Sequence, residues 1–209
     1  MDITKYLDTW AAAYRNDLIE NIMPFWMKFG LDRKHGGIYT CLDRDGKLMD
    51  STKSVWFQGR FGFIASYAYN HIEKKQEWLA ASKSCIDFIE THCTDIDGHL
   101  FFEVTEEGIP LRKRRYVFSE CFAAIAMSEY AIASGDKNYA TKALEMFKRI
   151  LKFLSTPGFL EPKYLPTLQS RGHSITMILI NTASRIREVI EDPVLDRQIN
   201  ESLTSIRQY

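Results

Sequence analysis

Two kinds of helical segment alternate along this chain, and the alternation limits the folds it can adopt. Apolar residues at three- and four-residue spacing predict seven helices in 209 residues. The second, fourth and sixth are poor in charge and rich in Gly, Ala, Ser, Met and aromatic residues, whereas the third and fifth have ordinary charged faces. A helix that is apolar on every side is buried on every side. The pattern therefore predicts an inner ring of even-numbered helices inside an outer ring of odd-numbered ones.

The predicted elements repeat as helical hairpins joined by short β-hairpins. Helices are expected over about 3–25, 54–74, 76–93, 117–134, 139–154, 172–190 and 193–209. Pro24 should kink or end the first helix, because proline lacks an amide hydrogen. Strands are expected at 38–42 and 99–105, with turns at 43–46 and 106–108, and the prolines at 157, 162 and 166 predict a loop. The odd-numbered helices start at about residues 3, 76, 138 and 193, a hairpin repeat of roughly 55 to 75 residues.

Composition argues against several classes of partner. The chain has 27 basic and 27 acidic residues, so neither nucleic acid nor an anionic membrane is predicted as a partner. The basic run at 112–115 is typical of a solvated loop. No leader-like segment and no apolar run long enough to span a bilayer is evident. Four cysteines without Cys-x-x-Cys spacing indicate reduced thiols, and we expect a cytoplasmic protein.

Arg60 is the one strong cation in the body of the second helix. Aromatic residues surround it in sequence, namely Trp56, Phe57, Phe61, Phe63 and Tyr67. A guanidinium is costly to bury unless an anionic or strongly polar group meets it. An aromatic-walled site with a fixed arginine suits a polyhydroxylated substrate that develops negative charge on oxygen.

Three motifs together resemble the N-acylglucosamine 2-epimerase family. They are His-Gly-Gly-Ile-Tyr-Thr-Cys-Leu at 35–42, Asp-Arg-Asp-Gly at 43–46 followed by Val-Trp-Phe-Gln-Gly-Arg at 55–60, and Phe-Ser-Glu-Cys-Phe at 118–122 with Ala-Met at 126–127. The resemblance covers essentially the whole chain and implies an all-α fold, the (α/α)6 barrel, a toroid of six helical hairpins. Members are about twice as long, so residues 1–209 are expected to be the N-terminal half of a single barrel domain, with about the first three helical hairpins.

The resemblance implies an isomerase that interconverts N-acylglucosamine and N-acylmannosamine, in amino-sugar and sialic acid metabolism. In the open-chain sugar C2 lies next to a carbonyl, so a base can remove its proton and an acid can return one to the opposite face. Histidine suits both roles, and the family's two acid–base histidines are expected beyond residue 209. A donor at the carbonyl oxygen is also needed. No cofactor or metal is required, although the resemblance implies that ATP can act as an effector in some members.

Six residues are predicted to form the part of the site within this chain. The catalytic candidates are Arg60, as oxyanion donor, and His173, at the start of the sixth helix; the substrate-binding candidates are Trp56, Gln58, Glu120 and Tyr39.

Gln58 is expected to bond a sugar hydroxyl, and Glu120 to bond the substrate or Arg60. Trp56, four residues before Arg60 and on the same face of the helix, is expected to wall the cavity.

Four of the candidates also have a structural interpretation. Arg60 could pair with an acid, and Trp56 could be a core residue. Gln58 lies off the Arg60 face unless the helix starts late, Glu120 could serve the helix dipole, and Tyr39 could shape the hairpin.

Other functions remain open at this point. A cellobiose or mannose epimerase or isomerase of the same fold is one, and a non-catalytic half-barrel interaction module is another. A glycoside hydrolase would need a carboxylate pair, which Glu120 alone does not supply. The expected partner is a small-molecule amino sugar. Since half a toroid would expose apolar faces of its inner helices, we expect a homodimer, an aggregation-prone chain or a part of a longer protein.

Overall fold

The computed structural model describes residues 2–113, 116–159, 165, 167 and 172–208. Within them the α-helices are α1 (Ile3–Asp17), α2 (Met23–Phe25), α3 (Val55–His71), α4 (Gln76–His92), α5 (Phe118–Ser134), α6 (Lys137–Ser155), α7 (Ser174–Arg187) and α8 (Pro193–Arg207). Two π-helical turns, Leu18–Ile22 and Trp26–Gly30, flank α2. The strands are β1 (Cys41–Leu42), β2 (Leu48–Asp50), β3 (Lys53–Ser54), β4 (Glu103–Val104) and β5 (Pro110–Arg112).

Helix ends follow capping residues in the sequence. The Asp136 carboxylate accepts from the Asn138 amide at the start of α6, and Asp192 does the same for Val194 at α8. Gly135 ends α5 in the left-handed region, with φ at 74°. All the helices predicted beyond residue 50 are present, with ends within three residues of those expected.

The first helical segment does not end at Pro24, which was one of the two outcomes expected there. The helical path continues to Gly30 through the two π-helical turns instead of ending at the proline. The wider turn before Pro24 brings the Met23 amide to the Leu18 carbonyl, and such turns absorb the ring and the missing donor of a proline. No side chain of α1 is buried, and the apolar residues Ile3, Leu7, Trp10 and Tyr14 are exposed.

α5 is the innermost helix of the described chain. All residues from Ser119 to Ala131 are buried, and α5 packs against α3, α4, α6 and α7. The prediction of an inner helix is thus confirmed for α5. The other two helices that are poor in charge, α3 and α7, each leave one apolar face exposed, with Phe57, Ile64 and Met177 among the exposed side chains. Half a toroid is expected to leave its inner helices partly uncovered in this way.

Gly59 allows α3 to approach α5 closely. A Cβ at this position would lie 2.6 Å from the Phe122 carbonyl carbon, a distance that real Cβ atoms do not adopt. Small residues at such crossings let two helix backbones meet. The approach sets the position of Arg60, one residue later on α3.

The β-hairpins connect the helices at one end of the molecule. β1 pairs with β2, and β3, β4 and β5 form a three-stranded antiparallel sheet in which Lys53 pairs with Val104. The strand predicted over 38–42 is shortened to Cys41–Leu42, while Ile38 forms an isolated bridge with Leu31. Strand β3 was not predicted.

Among the described residues, no helix has the length and apolar character that a membrane span needs. Two predictions fall outside those residues: the Arg114 and Arg115 part of the basic run, and most of the proline loop, including Pro162 and Pro166.

Candidate functional site

A cleft of about 390 Å³ opens beside the first turns of α3. The π-helical turns contribute Trp26 to its wall, the segment that leads into β1 contributes Tyr39, and α3 contributes Phe57, Arg60 and Phe61. The structure therefore brings two of the six predicted site residues, Tyr39 and Arg60, into one cavity. Its lining is mostly apolar and aromatic, as is typical of small-molecule sites.

Arg60 lies against aromatic rings and not against an acid. Its Cζ is 4.3 Å from the ring centroid of Phe122, 5.6 Å from that of Phe57 and 5.9 Å from that of Trp56. Among the described residues no carboxylate forms an ion pair with Arg60. The guanidinium is exposed, so its N–H donors remain available to a ligand oxygen.

Trp56 belongs to an aromatic cluster with Phe102, Phe118 and Phe122. Its ring centroid lies 5.2 Å from that of Phe102 and 5.3 Å from that of Phe118. The prediction that Trp56 and Arg60 share a face of the helix is confirmed by their contact. Trp56 does not line the cleft; it is partly buried and contacts Arg60 from beside it instead of forming the cavity wall.

Gln58 has a structural partner for both ends of its amide. The side chain is fully buried, its Nε2 donates to the Ile38 carbonyl at 2.6 Å, and its Oε1 accepts from the Ile38 amide at 2.8 Å. The expected bond to a sugar hydroxyl is therefore not available in this structure. Gln58 instead fixes the segment that carries Tyr39. Gly37 makes room for it, because a Cβ there would lie 2.5 Å from Gln58 Oε1.

Glu120 is likewise committed to the protein. It is fully buried, and its Oε1 accepts from the Leu100 amide at 2.9 Å and lies 3.3 Å from His99 Nδ1. The His99 ring in turn stacks on Phe153, with centroids 3.4 Å apart. The expected contact of Glu120 with Arg60 is not present, because Oε1 faces the segment before β4. Oε2 is buried and has no hydrogen-bond partner among the described residues, and a contact of Glu120 with substrate stays a prediction.

His173 directly precedes α7 and is partly buried. Its carbonyl accepts from the Met177 amide at 2.9 Å. It is not part of the cleft wall, and its role at the site stays a prediction.

Lys53 is the residue that sequence reasoning missed. Its side chain is fully buried, and Nζ donates to Asp32 Oδ2 at 2.7 Å and to the carbonyls of Gly36 and Glu106, each at 2.8 Å. An ammonium has three donors, and all three are used. We refer to Lys53, Asp32, Gly36 and Glu106 as the Lys53 cluster. No sequence signal distinguishes Lys53 from the exposed lysines near it.

The cluster shifts the pKa values of two neighbouring groups. Burial opposes ionisation of Asp32, but hydrogen bonds from Lys53 and from the amides of His35 and Lys34 outweigh it and lower the pKa of Asp32. Burial, the Asp32 charge and a hydrogen bond to Glu106 raise the pKa of Tyr39 above its ordinary range. Tyr39 therefore stays a neutral donor, and its hydroxyl donates to Glu106 Oε2 at 3.1 Å.

One group of side chains beside this cluster has the composition of a metal site. His35, Glu106 and Glu107 each offer a ligand atom within 4.8 Å of the others. Glu106 already accepts from Tyr39 and Glu107 is exposed. Carboxylates on a surface turn do not by themselves indicate a bound ion, and we assign none.

Comparison with known proteins decides the family. The sequence profile described as N-acylglucosamine 2-epimerase (GlcNAc 2-epimerase) matches residues 37–189, well over half of the chain. The chain belongs to the N-acylglucosamine 2-epimerase family. The matched residues include the cleft residues Tyr39 and Arg60 as well as Lys53.

Individual relatives agree with this membership. The N-acylglucosamine 2-epimerase of Rattus norvegicus is 30% identical over 192 residues, which cover 89% of this chain and 46% of that protein. The cellobiose 2-epimerase of Ruminococcus albus is 31% identical over 143 residues, covering 68% of this chain and 36% of that protein. The chain thus spans about half the length of the relatives it matches, or less.

A solved structure confirms the fold. The cellobiose 2-epimerase from Spirochaeta thermophila superposes with a TM-score of 0.85 over 99% of this chain and 55% of that chain, at 20% identity. Such enzymes are (α/α)6 barrels. The helical hairpins of this chain therefore form about half of an (α/α)6 barrel, as predicted.

Proposed function

We propose that the protein is a sugar 2-epimerase that interconverts N-acylglucosamine and N-acylmannosamine. The observation that carries the proposal is Arg60, an exposed guanidinium in the wall of an aromatic cleft with no carboxylate partner among the described residues. Membership of the family and the rat relative support the choice of substrate.

The proposed chemistry removes the C2 proton of the open-chain sugar and returns a proton to the opposite face. The electron pair of the C2–H bond moves into the C1–C2 bond, and negative charge develops on the carbonyl oxygen. Arg60 is proposed to donate to this oxygen. A donor held in place before the reaction stabilises the charge as it develops.

The proton-exchanging groups are proposed to come from the half of the barrel that this chain does not span. Histidines are the expected residues there. His173, at the start of the inner helix α7, is proposed as an auxiliary group. Tyr39 is proposed to contribute its ring to the cleft wall, since its hydroxyl is held by Glu106.

Three further features are proposed, concerning cofactors, assembly and location. The reaction is proposed to need no cofactor, with ATP as a candidate effector to be tested by addition to the assay. The exposed apolar side chains of α1, including Leu7 and Trp10, support a homodimer. Four unpaired cysteines support a reducing, cytoplasmic location. A role in amino-sugar and sialic acid metabolism is also proposed.

A second candidate is an epimerase acting on cellobiose or mannose. The Ruminococcus albus relative favours it, because its identity to this chain is as high as that of the rat enzyme. Both candidates share the same chemistry at C2 and differ in the group that the rest of the cleft recognises.

One experiment tests both. The protein, expressed from its complete reading frame, is incubated in D₂O with N-acetylglucosamine, N-acetylmannosamine, cellobiose or mannose, and the H2 signal is followed by proton NMR. We expect loss of H2 together with appearance of the C2 epimer for the N-acetylated sugars. Turnover of cellobiose or mannose alone would favour the second candidate. No exchange with any of the four would contradict both and favour a non-catalytic half-barrel.

A further inference from the structure

The Tyr39 side chain links the cleft to a turn on a different part of the chain. Tyr39 lies in the cleft wall together with Arg60. Its hydroxyl donates to Oε2 of Glu106, which is in the turn between β4 and β5, 67 residues away in sequence. The bond therefore joins the wall of the cleft to the β-hairpin that follows α4.

A single ammonium fixes both ends of this link. Lys53 donates to the Glu106 carbonyl on one side, and to the Gly36 carbonyl and the Asp32 carboxylate on the other. Gly36 lies three residues before Tyr39. The segment that carries Tyr39 and the turn that carries Glu106 are therefore both hydrogen-bonded to Lys53 Nζ, at 2.7 to 2.8 Å. Lys53 Nζ also lies 5.4 Å from the Tyr39 ring centroid.

The turn that carries Glu106 is itself constrained. The Thr105 amide donates to the Ile109 carbonyl at 2.8 Å, and the Gly108 amide donates to the Thr105 carbonyl at 3.0 Å. Gly108 has a φ of 95° and packs so closely on His92 that a Cβ would lie 2.4 Å from it. A carboxylate on such a turn has a defined position, which suits it to hold another side chain in place.

We propose that Glu106 is a positioning residue, whose carboxylate holds the Tyr39 ring in the orientation that the bound sugar contacts. This inference rests on the proposed epimerase function and extends it to a residue that does not touch the reacting carbon. The Glu106 carboxylate therefore acts on substrate affinity and not on the chemical step. The oxyanion donor, Arg60, is held separately by α3 and the aromatic cluster.

The Glu106 side chain can be removed without dismantling the Lys53 cluster. Lys53 bonds to the backbone carbonyl of Glu106 and not to its carboxylate. Glu106→Ala therefore keeps all three acceptors of the buried ammonium and removes only the partner of Tyr39. Tyr39→Phe removes the other half of the same hydrogen bond and keeps the ring.

These two variants form a double-mutant cycle in the protein expressed from its complete reading frame. We expect each single variant to raise KM about tenfold, the effect of one hydrogen bond to a charged group, with kcat changed by less than about twofold. The double variant should resemble either single one, because both remove the same interaction. Glu107→Ala, which removes the neighbouring exposed carboxylate, is the matched control and should leave KM and kcat unchanged.

Glu106→Gln retains an acceptor oxygen and should restore most of the affinity, a recovery that a purely structural role of the turn does not predict. Melting temperatures of all variants are measured alongside. If Glu106→Ala does not fold, Tyr39→Phe and Glu106→Gln still test the proposal, through a raised KM and a near-normal KM respectively.

The outcomes separate the two proposals. An active wild type in which Glu106→Ala leaves KM unchanged, or in which the effects of the two single variants multiply, overturns the positioning role alone. A wild type that exchanges no C2 proton overturns the epimerase function and this role with it.

Discussion

Lys53 and Arg60 are cations only seven residues apart in sequence, yet they differ in burial and in hydrogen-bond partners. Lys53 begins β3, the strand before α3, is fully buried and has three protein acceptors. Arg60 is on α3 itself, is exposed and contacts aromatic rings, without a carboxylate partner among the described residues. The sequence singles out Arg60 by its aromatic neighbours but not Lys53, and only the partners of Lys53 in the structure identify it as a structural cation.

The difference has an energetic basis. A buried ammonium whose donors are all used has nothing left to offer a substrate, and it stabilises the fold only while its partners remain. An arginine that lies over aromatic rings at an exposed site gains about 0.5 to 1 kcal/mol from the cation–π attraction and keeps its N–H donors free. Removing Lys53 should therefore damage stability, and removing Arg60 should damage catalysis.

The largest expected effect is on folding. Lys53→Met leaves the Asp32 carboxylate buried without its partner, together with two unpaired carbonyls. We expect a loss of about 3 to 5 kcal/mol in the free energy of unfolding, measured by urea denaturation. Lys83→Met is the control, since its ion pair with Asp87 is partly exposed and should cost less than about 1 kcal/mol. Equal losses for the two variants would show that the buried bonds of Lys53 contribute no more to stability than a partly exposed ion pair.

Arg60→Ala should show the opposite balance. If Arg60 donates to the developing oxyanion, turnover should fall by about 10² to 10³, while the free energy of unfolding should change by less than about 1 kcal/mol. Arg112→Ala is a matched control, because Arg112 also lies over an aromatic ring, Phe102, but is on the exposed strand β5. Epimerisation rates and urea denaturation measure both properties. An unchanged rate for Arg60→Ala would exclude it from the mechanism.

A smaller effect should appear as acid sensitivity. The pKa of Asp32 is lowered by folding, so the unfolded chain binds its proton more tightly. The stability it contributes is complete above its unfolded pKa, about 3.9, and is lost as the pH falls through the folded-state pKa. Asp32→Asn should therefore be less stable than wild type by about 1 to 3 kcal/mol at pH 7, and this gap should narrow as the pH falls below about 4.

Urea denaturation between pH 3 and 7 measures this gap. Asp196→Asn is the control at pH 7, because its ion pair with Arg187 is exposed and should contribute less than about 1 kcal/mol. A gap that widens towards low pH would contradict the assignment of Asp32 as the charged partner of Lys53.

The smallest expected effect concerns the reactivity of the four cysteines with a thiol reagent. Cys41 is exposed, whereas burial raises the pKa of Cys85 and of Cys93 to about 12, although the Lys53 charge acts in the other direction. The pKa of Cys121 is also raised to about 12 by burial. A thiol reagent at pH 8 should therefore modify one cysteine in the folded protein and four after denaturation. Rapid modification of more than one in the native state would show that the region around Lys53 opens readily.

Sequence reasoning succeeded where the information is local. Helix limits follow from periodicity and from caps such as Asp136 and Asp192, and the shared face of Trp56 and Arg60 follows from their four-residue spacing. It failed where a side chain meets a distant segment. Gln58 bonds to Ile38, Glu120 bonds to Leu100 and Lys53 bonds to Glu106, and a pattern of residue types contains no record of these encounters.

The pairing of β3 with β4 also has a consequence for the order of folding. Ser54 pairs with Glu103, so β3 and β4 cannot meet until the α3–α4 hairpin between them has closed. Contacts of large sequence separation carry a greater loop-closure cost and tend to form late. In kinetic terms, substitutions at the Lys53 cluster should mainly speed unfolding, while substitutions at the α3–α4 contact should mainly slow folding. Nascent helices would then assemble first, and the pairing of β3 with β4, together with the Lys53 cluster beside it, would be among the last contacts of this half-barrel to form.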